Sequence, residues 1–204
     1  MWYDTLVYKT GHLKVLLDYA FPACDCQDAQ FQALSAIRSL GTRTEFRYKL
    51  LEEGVLEPLM LTCHRRDVDF ELKRQATAAL CNLTLTSAKS STIARSGVIS
   101  ALISVAKDSI DVDINCQVLA VAALANLVEA GGANVSKRLV DEGCDILIVK
   151  LAASSQHEEF WIEISRLIAL LSCHQEVHER LITETCLAEI IRFAGLNEDE
   201  KCRR

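Results

Sequence analysis

Three groups of residues are of types that could do chemistry. Cys173, His174 and His178 bring a thiol and two imidazoles close in sequence, and histidines four apart share one face of a helix. Structural zinc takes four protein ligands and catalytic zinc three plus water. No further ligand pair stands nearby, so the expectation is ordinary histidines at the start of a short helix, and no metal. Cys24 and Cys26 have one residue between them, where zinc knuckles and thiol-redox motifs have two. Cys63 and His64 are adjacent, and neighbours on a helix point about 100° apart, too far to pair a nucleophile with its base. The eight glycines are dispersed, with no G-x-G-x-x-G or G-x-x-x-x-G-K pattern to cradle phosphate. The sequence therefore predicts no catalytic residue, no cofactor and no enzyme. What remains is amide chemistry at Asn82 and Asn126, whose side chains offer both a donor and an acceptor to any extended backbone.

Both asparagines stand in a repeated stretch. Ala76-Thr-Ala-Ala79-Leu80-Cys-Asn82-Leu83 returns as Ala120-Val-Ala-Ala123-Leu124-Ala-Asn126-Leu127. The same pattern fits Ala33-Leu-Ser-Ala36-Ile37-Arg-Ser39-Leu40 and, more loosely, Ile164-Ser-Arg-Leu167-Ile168-Ala-Leu170-Leu171. Successive copies are 43, 44 and 44 residues apart. A second marker, Gly11, Gly54, Gly97 and Gly143, keeps a similar beat, with Leu13, Leu56, Ile99 and Asp145 two residues on and Thr185 in the fifth position. Such a period belongs to helical repeats of about 40 to 47 residues. Apolar residues at i, i+3, i+4 and i+7 make each marker helical. The glycine ends one short amphipathic segment (46–53, 92–96, 135–142) and opens another (55–63, 98–107, 144–152), because it takes positive φ without steric cost. Each unit reads as a short helix, a sharp turn, a second helix, a polar loop and a long third helix.

In these features the chain resembles armadillo repeats, whose third helix ends in A-L-x-N-L and whose first two helices meet at a glycine. The resemblance implies an all-α, right-handed α-α superhelix. Its single domain, 1–196, would hold repeats at about 1–41, 44–86, 89–130 and 133–172 and a partial unit at 174–195, ahead of a polar tail at 197–204. In repeat one a helix at 2–10 leads through Gly11 into 12–21, Pro22 closes that helix, and Asp25 or Asp28 caps the next. The Gly131-Gly132 pair stops the third helix of repeat three.

The resemblance also implies a concave groove along the third helices that receives an extended peptide. The residues in register to line it are Ser39, Asn82 and Asn126, with Leu170 in the fourth copy, and one turn earlier Ser35, Ala78, Ala122 and Arg166. The importin-α type carries tryptophan in that second column to flank lysines of a nuclear localisation signal. Small or charged residues there, and the apolar stretch 118–125, point to a partner with apolar anchors. The alternatives kept open are that the asparagines bond the neighbouring repeat's backbone, and that the array is a structural module whose groove is unused.

A net charge of −6 and a pI near 5.4 argue against nucleic acid as a partner. Nine cysteines with no disulfide-like spacing read as reduced thiols, so the expectation is an intracellular, cytoplasmic protein, the nucleus being the alternative. No secretory leader and no transmembrane segment are expected. Trp2, Tyr3, Leu6 and Val7 at one end, and Leu187, Ile190, Ile191 and Phe193 at the other, would leave apolar end faces and invite end-to-end self-association.

Overall fold

A computed structural model describes residues 11–23, 26–152, 157–183 and 188. Among the described residues every regular element is helical. The expected helix at 2–10, Cys24, Asp25, Thr185, the end-face residues named above and the tail at 197–204 lie outside them. Repeat one contributes α1 (His12–Ala20) and α2 (Gln27–Leu40). Repeat two contributes α3 (Thr44–Glu52), α4 (Leu56–His64) and α5 (Phe70–Thr84). Repeat three follows with α6 (Ser90–Arg95), α7 (Val98–Asp108) and α8 (Ile114–Asp141). Then come α9 (Cys144–Ala152), α10 (Glu158–Ser172) and the short α11 (His178–Leu181).

Local chemistry sets these boundaries. Gly11, Gly54, Gly97 and Gly143 all sit at positive φ, between 84° and 107°, so the marker glycines are the sharp turns between first and second helices. Phe21 is extended at the end of α1, as the residue before Pro22 must be. Asp69 and Asp113 cap α5 and α8, accepting from the backbone N–H of Glu71 and Cys116 at 3.0 and 3.1 Å. In repeat one the N-cap is Cys26, without a side-chain cap bond, and Asp28 lies inside the first turn, where its carboxylate favours the positive end of the helix.

Gly131-Gly132 is the expected stop. Gly132 departs from helical geometry (φ 60°, ψ −151°), so the span given as α8 holds two helices that meet there, the third helix of repeat three and, directly after it, the first helix of repeat four. A side chain on Gly131 would collide with Val135, which ties the break to glycine. By length and composition α8 could cross a membrane, yet half of its most apolar stretch is buried inside the protein. It packs between α5 and α10, with α7 behind it.

The helices form two rows. Third helices stack in the order α2, α5, α8, α10, and second helices run beside them as α1, α4, α7, α9. Leu34, Ile37, Leu80, Leu83, Leu124, Leu127, Leu167 and Leu171 are fully buried between the rows. Alanines such as Ala76, Ala79, Ala120 and Ala123 let the backbones approach closely. Polar ties cross between repeats as well: Arg65 Nη1 donates to the Pro22 carbonyl at 2.9 Å, and the almost fully buried Lys73 places Nζ 3.5 Å from Asp108 Oδ2.

Leu80 and Leu124 are equivalent residues of successive repeats and are both 0% exposed. Each truncation, Leu80→Ala or Leu124→Ala, should cost about 2 to 5 kcal/mol in urea titration. A loss below about 0.5 kcal/mol at either position would contradict this packing.

Candidate functional site along the third helices

On α5, residues 71, 75, 78 and 82, with Leu85 at the C-cap, fall on one stripe at helical spacing, and equivalent stripes run along α2, α8 and α10. Ser35 is half-buried and Ser39 exposed, the Ser39 hydroxyl donating to the Ser35 carbonyl at 2.9 Å. Together they line a hollow of about 510 Å³ with Leu16 and Tyr19 of α1. Ala78 is buried, while Ala122 and Asn82 are half-buried. Asn82 Nδ2 donates to the Arg38 carbonyl of repeat one at 3.0 Å, and Arg38 in turn donates to Gln75 Oε1 at 3.0 Å.

Asn126 is more deeply placed, at 7% exposure. Its Nδ2 donates to Thr84 Oγ1 at 3.3 Å and lies 3.5 Å from the Cys81 carbonyl. Its Oδ1 accepts from Arg166 Nη2 at 2.7 Å. The same nitrogen reaches Glu129 Oε2 at 2.7 Å, and Arg166 Nη1 reaches Glu163 Oε2 at 3.0 Å. Burial works against the Arg166 charge, but the hydrogen bonds to Glu129 and Glu163 outweigh it and raise its pKa above the ordinary value.

Of the residues expected to line a groove, Asn126 and Arg166 thus meet directly. Asn82 sits beside Ser39 through the Arg38 carbonyl, and Ser35 and Arg166 stand at opposite ends of the row. Both asparagines hold the preceding repeat, and Asn126 uses its donor and its acceptor within the chain. Sequence reasoning had not singled out Glu129 and Glu163. Their offsets, three residues after Asn126 and three before Arg166, place them on the same helix faces and were the available signal.

The other chemical candidates separate. Cys63 is fully buried against Thr77, 3.8 Å from its hydroxyl, and burial pushes its thiol up to about 12, while neighbouring His64 is exposed. Burial likewise raises Cys116 to about 12 and Cys81 to about 11. Such thiols are poor nucleophiles at neutral pH. Cys173 donates to the Ala169 carbonyl at 3.3 Å, and His178 Nε2 lies 2.9 Å from the Ser172 carbonyl, so both close the end of α10. Among the described residues no group of three or more His, Cys, Asp or Glu is arranged to hold a metal ion.

Asn126→Ala removes a buried amide bonded on both sides and should cost about 1 to 3 kcal/mol in chemical denaturation. Asn82→Ala, which removes one half-exposed bond, should cost less. Equal losses, or a larger one at position 82, would contradict the different burial of the two amides.

No protein-family model matches the chain, and no curated protein sequence matches it. Solved structures do. A designed armadillo repeat protein in complex with a (KR)4 peptide superposes with a TM-score of 0.81 at 22% identity, over 94% of this chain and 77% of that one. Computationally designed armadillo repeat proteins for modular peptide recognition give 0.78 at 23% identity, over 92% and 75%. An engineered protein gives 0.80 at 19% identity, over 93% and 75%. The fold of this chain is an armadillo-like right-handed superhelix of helical repeats.

Proposed function

We propose that this chain is a non-catalytic scaffold of the intracellular space, whose third-helix face receives an extended segment of a partner protein. The observation that carries this reading is the column Ser35, Ala78 and Ala122, where three successive repeats place only small side chains. Exposed Leu85 lies on the same stripe of α5, and half-buried Leu119 on that of α8. Along this trough, these small residues and the two leucines offer apolar footholds between Gln75, Asn82 and Asn126, which suits a segment bearing spaced apolar anchors better than a basic one. The designed armadillo neighbours, one in complex with a (KR)4 peptide and others made for modular peptide recognition, support peptide binding as the use of such a fold.

A second reading, a structural module that stacks on another helical unit or on a second copy of the chain, is favoured by one observation at α1. Val15 and Tyr19 are 53% and 51% exposed. Their equivalents one repeat later, Pro58 and Thr62, are buried, and Thr62 accepts from Gln30 of repeat one at 3.5 Å. The outer face of repeat one therefore has the composition of a stacking face.

Selection from a phage-displayed peptide library on the whole chain tests the first reading. Enriched peptides should carry spaced apolar residues, and Ala122→Arg, shown to be folded by circular dichroism, should weaken them at least about tenfold, or about 1.4 kcal/mol. Peptides that bind Ala122→Arg and the parent equally would overturn it. Under the second reading, light scattering would instead show concentration-dependent association that Val15→Glu abolishes and Ala122→Arg leaves intact.

A further inference from the structure

In repeats one to three the inner column is Ser35, Ala78 and Ala122, and in repeat four it is Arg166. That side chain is only 34% exposed. Its guanidinium lies back over α8, held by Asn126 Oδ1, Glu129 Oε2 and its own helix's Glu163 Oε2 at 2.7, 2.7 and 3.0 Å. Two carboxylates and a buried amide oxygen, all acceptors, converge on one point. Acceptors so placed repel one another unless a cation lies between them, and a planar fork of N–H donors suits them better than a water would. Glu129 is 62% exposed and so leaves the site open to solvent on one side.

We infer that Asn126, Glu129 and Glu163 form a binding site for a guanidinium or ammonium group, and that Arg166 fills it from within the chain. The filled site excludes a partner's arginine or lysine from the repeat-three end of the trough. This makes Arg166 the residue that sets the trough's preference against basic segments. The exclusion rests on the trough reading above; the site itself does not.

The test has two arms. In the first, the melting temperature of Arg166→Ala is followed against low-millimolar methylguanidinium, with sodium chloride at equal ionic strength as control. The variant should gain stability that the parent does not, and Glu129→Gln with Glu163→Gln in the same background should remove the gain. Equal responses of variant and parent would overturn the site. Arg166→Gln serves where the alanine variant does not fold. In the second arm, a fluorescent (KR)4 peptide should bind Arg166→Ala at least about tenfold more tightly than the parent. A methylguanidinium response without any gain in (KR)4 affinity would overturn the exclusion while leaving the cation site standing, and the trough reading itself falls only with the Ala122→Arg result above.

Discussion

Every repeat in this chain carries apolar side chains that its own helices cannot cover. Leu80 and Leu124 are sealed because the third helix of one repeat lies against that of the next, and the second helices close the row from behind. Removing about 25 cal/mol per Å² of apolar surface from water drives the stacking, and it acts only between neighbours in space. The architecture follows from that constraint. A period of 43 or 44 residues returns the same buried face to the same partner face, and a glycine at positive φ in each unit folds the short first helix back to allow it.

The polar side chains obey the same constraint. Asn82, Asn126, Arg65 and Lys73 each reach a neighbouring repeat, so the amides best suited to hold a ligand's backbone are spent on register. An unpaired buried amide is costly, and Asn126 avoids that cost at both ends. Under the proposed reading, binding falls to the small residues beside these ties. Arg166 shows the same economy, since one guanidinium satisfies Asn126 and two glutamates.

Much of this fold was legible in the sequence, because its determinants are local. The α7 bounds at Val98–Asp108 agree with the expected 98–107 to within one residue, since a glycine's backbone freedom and a 3.6-residue apolar period need no knowledge of the rest of the chain. The Gly131-Gly132 break was legible for the same reason, since Gly132 takes a φ that favours glycine. How closely the next helix follows that break was not legible, because it depends on what packs there, and here Val135 lies against Gly131. The site was legible only as a register. That Asn82 bonds a carbonyl 44 residues back, and that Asn126 is closed by an arginine 40 residues on, are consequences of how the repeats stack. The sequence left both roles of the asparagines open for that reason.

Native-state hydrogen exchange tests the stacking account most directly, because it reads the stability of each helix separately. The account predicts that amides of α5 and of the first part of α8, covered on both sides by other third helices, exchange last and together, and that α1 and α11 exchange well before them. Protection in α1 equal to or greater than that in α5 and α8 would contradict it.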